Sequence, residues 1–184
     1  MRLFIAIQLN NEMLDALAEV QGSLRFAGAC GSFTKAENLH LTLAFIGEMP
    51  CPDEALEALE TVSFRPFDLR LDGCGCFGDL WWVGVSDTAA LEAVARRVRR
   101  ALAEAGVPFD RKRFVPHITV LRRADFGRNG LAGNDPDDSD AGRANLPALQ
   151  IPDARMTVRR ISLMRSDRGK NGMIYTEIGA IEAD

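Results

Sequence analysis

The sequence predicts an α+β fold whose sheets are mainly antiparallel. Two strand pairs support this prediction, one near the middle of the chain and one at its end, because strands joined by short turns pair antiparallel. The helices do not alternate regularly with strands, as they would in a doubly wound parallel sheet. Each half of the chain also carries a helix followed by a strand with the pattern His-x-Thr, which predicts two similar lobes facing each other.

The composition is that of an ordinary globular protein, with 184 residues, 47% hydrophobic residues and 26% charged residues. We therefore expect a single domain over 1–184, built as two small lobes around a continuous core. No apolar run approaches the roughly 20 residues that cross a bilayer, and the first apolar segment is too short for a secretory signal. The four cysteines form no disulfide-dense pattern, which favours a reduced, cytoplasmic protein.

The first half of the chain predicts three strands and two helices. Asn10 or Asn11 is suited to cap the first helix, which Gly28 and Gly31 end. Pro52 and its neighbours introduce the second helix. The expected ranges are a strand at 2–9, a helix from Asn10 or Asn11, strands at 33–35 and 39–46, and a helix at 54–61.

The second half predicts five strands and the longest helix. Asp87 is the expected cap of that helix, and Gly106 its end. Gly169 and Gly172 predict the turn of a closing hairpin. The expected ranges are strands at 67–71 and 80–85 around a glycine-rich stretch at 73–78, a helix at 88–105, a strand at 114–121, a long mobile loop at about 125–148, and strands at 155–165 and 172–179.

The net charge of −4 argues against binding of long nucleic acid through a positive electrostatic field of the whole protein. A local basic pocket for a terminal nucleotide remains compatible with that charge. Its candidate residues are Lys35, Arg111, Lys112, Arg113, Arg122 and Arg123. The arginines at 96, 97, 99 and 100 are interpreted as a solvated helix face rather than an RNA track.

The chain has two histidines, and both stand in the pattern histidine–apolar–threonine–apolar. Side chains alternate between the two faces of a strand, so His40 and Thr42 share one face. The same alternation puts His117 and Thr119 on one face of the second strand. Each strand is therefore expected to offer a core face and a face that carries an imidazole beside a hydroxyl.

These side chains suit displacement at phosphorus. An imidazole has an unperturbed pKa of about 6.5 and exchanges protons near neutral pH. One histidine on either side of a phosphate could deprotonate water and protonate the leaving oxygen, each contributing about 10²–10⁴-fold. Threonine hydroxyls could donate hydrogen bonds to the nonbridging oxygens. A lone His-x-Thr is weak evidence, but both histidines of the chain in the same pattern are far more specific.

Four segments resemble the two-histidine phosphoesterases, specifically the bacterial RNA 2',3'-cyclic phosphodiesterases once named 2'-5' RNA ligases. The resemblance covers nearly the whole chain. Its segments are Arg2-Leu3-Phe4-Ile5-Ala6, the run from Glu37 through His40-Leu41-Thr42-Leu43 to Glu48, Phe114-Val115-Pro116-His117-Ile118-Thr119-Val120, and a strand–Gly–strand segment reaching Tyr175.

The resemblance implies a bilobal α+β fold with pseudo-twofold symmetry and a catalytic groove between the lobes. It implies that His40 is the proton donor to the departing O3' and that His117 is the proton acceptor that activates water. Thr42 and Thr119 would bind the phosphate. The implied reaction is metal-independent hydrolysis of an RNA 2',3'-cyclic phosphate end to a 2'-phosphomonoester.

Four further residues are candidates for substrate binding. Arg122 matches the family arginine after the second motif, yet strict strand alternation puts Arg123 on the face of His117; a bulge or strand end at Leu121 would turn Arg122 inward. Phe33 matches an aromatic position of the family and could be core or a base-stacking surface, and core is the preferred interpretation. Tyr175 completes the candidate set.

The expected partner is an RNA or oligonucleotide with a 2',3'-cyclic phosphate end, with cyclic nucleotides as further candidates, and the chain is expected to be a monomer without membrane contact. No cofactor or metal is expected, since Cys74 and Cys76 lack a second ligand pair at zinc-site spacing. The alternatives are reversible 2'-5' joining of RNA ends at the same site and a nonenzymatic RNA-end binding module. A metallohydrolase is disfavoured because no carboxylate cluster accompanies the histidines in sequence.

Overall fold

The computed structural model of the protein describes residues 1–125 and 149–184. The loop expected at 125–148 lies outside these ranges, apart from Asp125. The elements are β1 (Arg2–Gln8), α1 (Asn11–Phe26), β2 (Cys30–Phe33), a 3-10 turn (Ala36–Asn38), β3 (His40–Glu48), α2 (Asp53–Glu60), β4 (Phe67–Phe77), β5 (Leu80–Ser86), α3 (Thr88–Glu104), β6 (Ile118–Asp125), β7 (Arg155–Val158), β8 (Arg160–Gly169) and β9 (Gly172–Glu182).

The strands of the described ranges form one sheet in the order β7-β4-β5-β6-β3-β1-β8-β9, and β2 pairs with β6 beside this path. Every pairing is antiparallel. The α+β prediction with a mainly antiparallel sheet is confirmed. The first half-sheet (β3, β1, β8 and β9) and the second half-sheet (β6, β5, β4 and β7) meet where β3 pairs with β6, and these two strands carry the His-x-Thr patterns.

The main core lies between the sheet and the helices. Alternate residues of β1, Leu3, Ile5 and Ile7, belong to this core, together with the buried stripes of the helices. Phe4 and Ala6 of the same strand lie on the other face, in a small separate cluster with Met164. The sheet thus has one face covered by helices and one face free for a site. No helix in the described ranges is long and apolar enough to cross a membrane.

Both predicted capping residues stand at the N-cap position of their helices, but only one of them makes the capping bond. The Asn10 side chain accepts a hydrogen bond of 3.0 Å from the Met13 amide, as a cap of α1 should. Asp87 does precede α3, but its side chain makes no capping bond. The reason is its backbone, which has a φ of 57° in the left-handed region, whereas a capping residue is normally extended.

The strand predicted at 33–35 ends earlier than expected. β2 is Cys30–Phe33, and Phe33 pairs with Leu121 of β6. The Thr34 amide still donates to the Val120 carbonyl, after which the chain turns into the short 3-10 segment. Likewise, the second histidine strand begins at Ile118 rather than at Phe114, so that His117 directly precedes β6.

The glycine-rich stretch at 73–78 belongs mostly to β4 rather than to a connection. Gly75 pairs with Trp82 of β5, and a Cβ at this position would lie 2.4 Å from the indole ring. Because Gly75 has no side chain, the ring of Trp82 can lie against the strand. Strand propensity alone does not predict such a glycine inside a strand.

The single strand predicted at 155–165 is two strands in opposite halves of the sheet. β7 pairs with β4 at one edge, and β8 pairs with β1 and β9 in the first half-sheet. The chain changes partners at Arg159, between two apolar runs that look continuous in sequence. The hairpin turn predicted at Gly169 and Gly172 is confirmed, because these residues close β8 and β9.

Candidate active site

The two histidine strands are direct neighbours in the sheet. Leu41 of β3 pairs with Ile118 of β6, and both side chains are fully buried in the core. In this antiparallel register, the next positions put His40 across from Thr119 and Thr42 across from His117. Each imidazole therefore lies opposite the hydroxyl of the other strand, on the face that the helices leave open.

The register also sets the spacing of the two imidazoles. His40 and His117 occupy diagonal positions across the pair, and such positions are roughly 7–8 Å apart in an antiparallel sheet. This separation leaves room for one tetrahedral anion between two ring nitrogens. The strand pairing thus brings the four predicted residues of the two motifs around one point.

Main-chain carbonyls fix both imidazole rings in the same way. Nδ1 of His40 lies 2.7 Å from the Asn38 carbonyl oxygen, and Nδ1 of His117 lies 2.8 Å from the Val115 carbonyl oxygen. A carbonyl only accepts, so Nδ1 carries the hydrogen in both rings. Each Nε2 is left to exchange a proton. In His40 it lies 3.0 Å from the Thr42 hydroxyl, which donates to it when the ring is neutral.

Aromatic side chains flank each histidine. The His40 ring contacts Phe4 and the edge of Tyr175, with centroids 4.8 and 5.3 Å apart. The His117 ring meets Phe77 edge-on at 5.3 Å and lies 6.4 Å from Trp82. The two half-sheets thus repeat the whole arrangement of a histidine between two aromatic rings, which the duplication in the sequence only partly reveals.

The electrostatic environment disfavours a charged His40 in the unliganded protein. Burial lowers the pKa of His40 below its usual 6.5, and the positive charges of Arg122 and His117 act in the same direction. The hydrogen bond from Nδ1 to the Asn38 carbonyl opposes these effects. An anion bound beside the ring would offset the charge of Arg122 and favour protonation.

A cleft of about 520 Å³ opens beside His40 and Thr119. It brings together the four further substrate-binding candidates, namely Phe33, Arg122, Arg123 and Tyr175. Thr42 and His117 do not line it; Thr42 is hydrogen-bonded to His40, and His117 lies diagonally across the strand pair from His40. The predicted set therefore divides into a reaction centre and a neighbouring binding cleft.

The position of Arg122 results from a bulge in β6. Thr119 pairs with Trp82 and Leu121 with Trp81, so Val120 is one residue more than β5 provides. Val120 and Leu121 are consequently both buried, and Arg122 returns to the face of Thr119. Simple alternation, which selected Arg123 alone, is therefore wrong.

Arg123 reaches the cleft by a different route. Its φ of 53° lies in the left-handed region, next to a second irregularity in the pairing of β6 with β2. Its guanidinium donates to the Ser32 hydroxyl at 2.5 Å. Both arginines thus line the cleft, and Arg122 is the one whose charge acts on His40.

Phe33 lies both at the edge of the core and in the wall of the cleft. The ring is half-buried and packs against the main core, yet it also lines the cleft. The Arg25 guanidinium lies 3.9 Å from its centroid, so part of the ring is already covered by a cation.

The prediction of basic residues in the pocket is only partly correct. Lys35 lines the cleft, whereas Arg111, Lys112 and Arg113 do not. Sequence reasoning missed Arg168 and Lys170, which contribute from the β8–β9 hairpin. The turn signal at Gly169 and Gly172, followed by Tyr175, was the feature that could have indicated them.

The arginines of α3 are not simply a solvated face. Arg99 donates from Nε to the Leu43 carbonyl and from Nη1 to the Lys112 carbonyl, at 3.1 and 2.8 Å. Arg97 donates to the Ser63 carbonyl, and Arg100 pairs with Glu104. Arg99 therefore ties β3 to the segment that leads to His117.

The four cysteines are unpaired. In the described ranges no group of three or more His, Cys, Asp or Glu side chains could hold a metal ion. The candidate site there consists of imidazoles, hydroxyls and cationic side chains.

Comparison with known proteins identifies related sequences along most of the chain. The 2'-5' RNA ligase superfamily matches residues 14–170. An RNA 2',3'-cyclic phosphodiesterase of Geobacillus stearothermophilus is 35% identical over an alignment of 129 residues, and the match covers 65% of this chain but only 41% of that relative. An RNA 2',3'-cyclic phosphodiesterase of Methanothermobacter thermautotrophicus is 28% identical over an alignment of 189 residues, and the match covers 96% of each chain.

A solved structure extends the similarity to the fold. The crystal structure of Escherichia coli LigT in apo form has a TM-score of 0.73 and 26% sequence identity, and the match covers 99% of this chain and 96% of that one. The same protein has also been crystallised with 3'-AMP.

Proposed function

The chain belongs to the 2'-5' RNA ligase superfamily, and on that premise we propose that it hydrolyses RNA 2',3'-cyclic phosphate ends to 2'-phosphomonoesters. Two relatives that match it carry the name RNA 2',3'-cyclic phosphodiesterase. The Methanothermobacter relative matches over nearly its whole length, which supports carrying the activity over to this chain.

One observation carries the proposal, namely the repeated hydrogen bond that holds each imidazole by Nδ1. Because Asn38 and Val115 each accept this bond, both histidines keep Nε2 available for proton transfer. The antiparallel register of β3 and β6 puts the two imidazole rings at diagonal positions across the strand pair. Two proton-exchanging nitrogens at such positions support a displacement at one phosphorus atom between them.

In the proposed reaction, water attacks the phosphorus while Nε2 of His117 accepts its proton. The bond between phosphorus and O3' breaks, and Nε2 of His40 donates a proton to the departing O3'. The products are a free 3'-hydroxyl and a 2'-phosphate. One proton is taken up and one is given, so the two histidines exchange protonation states in each turnover.

Negative charge develops on the nonbridging oxygens in the transition state, and hydrogen-bond donors stabilise it. We assign this role to the hydroxyls of Thr42 and Thr119, which the register aligns with the opposite histidines. Arg122 supplies a positive charge near His40. Binding of the phosphate would release the Thr42 hydroxyl from Nε2 of His40 and offset the charge of Arg122. The substrate thereby promotes the protonated form of His40 that the donor role needs.

The terminal nucleoside is assigned to the cleft beside His40. Tyr175 and Phe33 line this cleft and offer aromatic surface for a base. Arg123 adds a second cation to the same wall. We further propose that the enzyme acts as a monomer without a metal or cofactor, and in the cytoplasm, where unpaired cysteines persist.

The test is to incubate the protein with an oligonucleotide that ends in a 2',3'-cyclic phosphate, in excess chelator, and to separate the products. We expect a 2'-phosphate end. His40→Ala and His117→Ala should each abolish this product, while circular dichroism shows that both variants fold. Thr176→Val, on an exposed position next to Tyr175, serves as a control for substitution near the cleft.

Other outcomes would identify a different function. Tight binding of the cyclic end without turnover by the intact protein would indicate a nonenzymatic binding module. Joining to an RNA with a 5'-hydroxyl, in place of hydrolysis, would indicate end joining at the same site. Activity that disappears with chelator but survives both histidine substitutions would contradict the proposal.

A further inference from the structure

The cleft beside His40 holds more positive charge than a terminal cyclic phosphate needs. Five cationic side chains line it, namely Lys35, Arg122, Arg123, Arg168 and Lys170, and no carboxylate belongs to its described lining. A cyclic phosphate carries one negative charge. The surplus is local, because the chain as a whole has a net charge of −4.

The cations fall into two groups along the cleft. Arg122 and Arg123 belong to β6, three and four residues after Thr119, and line the same cleft as Thr119 and His40. Arg168 and Lys170 belong to the β8–β9 hairpin on the other wall, and Lys35 precedes the 3-10 turn. The second group is the one that the proposed reaction leaves unused.

We propose that Lys35, Arg168 and Lys170 bind the phosphate group on the 5' side of the terminal nucleotide. The substrate would then be an RNA or oligonucleotide end rather than a cyclic mononucleotide. This inference rests on the proposed function and deepens it, because it specifies which cyclic phosphates the site accepts.

The backbone of the hairpin that carries Arg168 and Lys170 is tied to the residue that holds His40. Asn38 is a buried residue whose side-chain amide donates to the Met173 carbonyl at 2.8 Å, while its own carbonyl accepts from Nδ1 of His40. One residue thus connects the catalytic ring with the start of β9, next to the hairpin turn. Because the hairpin closes between Gly169 and Gly172, Lys170 lies at its tip.

The charges of this group are not used elsewhere in the described structure. None of Lys35, Arg168 and Lys170 forms an ion pair with a described carboxylate. Glu37 lines a smaller adjoining cavity of about 320 Å³ together with Lys35 and Lys170. Glu37 does not line the larger cleft. The described lining of that cleft therefore carries no negative charge that would repel a phosphate.

A second basic cavity in the described part of the chain fits such a role less well, since Glu92 belongs to its lining. Arg96, Arg99 and Arg113 line it, on the helix-covered side of the molecule. Two donors of Arg99 are already bound to main-chain carbonyls. The cavity also does not adjoin His40, so a bound phosphate there would not belong to the reacting nucleotide.

The experiment compares three substrates: a nucleoside 2',3'-cyclic phosphate with a 5'-hydroxyl, the same compound with a 5'-phosphate, and a dinucleotide ending in the cyclic phosphate. For the intact protein we expect kcat/KM to be about tenfold higher for the second and third compounds, as one charged contact can provide. Arg168→Ala and Lys170→Ala should remove most of this advantage and leave the 5'-hydroxyl compound within about twofold. Arg65→Ala, an exposed arginine outside the cleft, is the matched control.

Salt dependence gives a second readout. Each lost phosphate contact should flatten the slope of log kcat/KM against log salt for the dinucleotide by about 0.7. Equal kcat/KM for the three substrates, or equal losses on all of them in the variants, would overturn the inference and leave the proposed function intact. If none is hydrolysed, the proposed function fails, and the affinities of the same compounds still test the phosphate site.

Discussion

Leu41 and Ile118 lie opposite each other where the two half-sheets meet, and this one pair sets the geometry of the site. Both side chains are fully buried, so the core holds the register. A slip by one residue would turn every side chain of one strand to the other face. His40 and His117 would then no longer share a face, which means that core packing maintains the catalytic arrangement.

The threonine hydroxyls should matter for the rate more than for binding. Thr42→Val and Thr119→Val keep the shape of the side chain but remove the donor to the nonbridging oxygens. We expect kcat to fall by up to about 10²–10³-fold, with a smaller change in KM, because the charge develops mainly in the transition state. Steady-state kinetics on a cyclic-phosphate substrate measures both. A change in KM alone would assign the hydroxyls to ground-state binding.

The pKa of His40 should lie below 6.5 and respond to Arg122. The chain has two histidines, so an NMR titration of the imidazole carbons resolves two curves. Arg122→Gln removes one cause of the lowered pKa and should raise the pKa of His40. Inorganic phosphate should raise it in the intact protein for the same electrostatic reason. Arg100→Gln, an exposed arginine on α3, is the control and should leave the pKa unchanged.

The lowered pKa of His40 has a consequence for stability. Below its usual pKa of about 6.5 the unfolded chain binds a proton at this position that the folded chain resists. The free energy of unfolding should therefore rise with pH through this range and fall as the pH drops below about 6.5. His40→Gln should flatten this dependence in urea denaturation between about pH 5 and 8. An unchanged slope would mean that the ring is protonated without cost in the folded state.

The sequence was sufficient for the elements that depend on local patterns. Apolar periodicity gave the three helices, and turn glycines gave the closing hairpin. The face shared by His40 and Thr42 followed from strand alternation alone. Arg122 shows where this reasoning fails, because its orientation depends on the extra residue Val120 in the pairing of β6 with β5. Bulges arise from two strands together and leave little trace in one of them.

Contacts between residues that are far apart in sequence could not be predicted either. Arg168 and Lys170 are far from both motifs in sequence and reach the cleft only because β8 pairs with β1 beside β3. The exchange of partners between β7 and β8 was equally hidden, since β7 and the first half of β8 look like one continuous apolar segment in sequence. The resemblance indicated the chemistry, whereas the second group of cations required the arrangement of the strands.

Tyr175 should act through its ring rather than its hydroxyl. The ring contacts His40 edge-on at 5.3 Å and Phe4 at 5.0 Å, and it lines the cleft. Tyr175→Phe keeps these contacts and should retain activity within about twofold. Tyr175→Ala should lower kcat/KM by about tenfold or more, because the pair contacts and the stacking surface are lost together. Equal losses in both variants would instead assign the effect to the hydroxyl.

Arg99 should position the second histidine from behind the sheet. Its guanidinium joins the Leu43 carbonyl of β3 to the Lys112 carbonyl and lies 5.4 Å from the centroid of Phe114, three residues before His117. Arg99→Met keeps much of the apolar stem but leaves both carbonyls without this donor.

We expect Arg99→Met to lower the free energy of unfolding by about 1–3 kcal/mol, the cost of unsatisfied polar groups. Arg100→Met, which breaks only the exposed pair with Glu104, should change it by less than about 0.5 kcal/mol. Chemical denaturation measures both. If Arg99 also positions His117, its variant loses kcat well below the melting temperature while binding of the cyclic end persists. A folded Arg99→Met protein with unchanged kcat would limit Arg99 to stability.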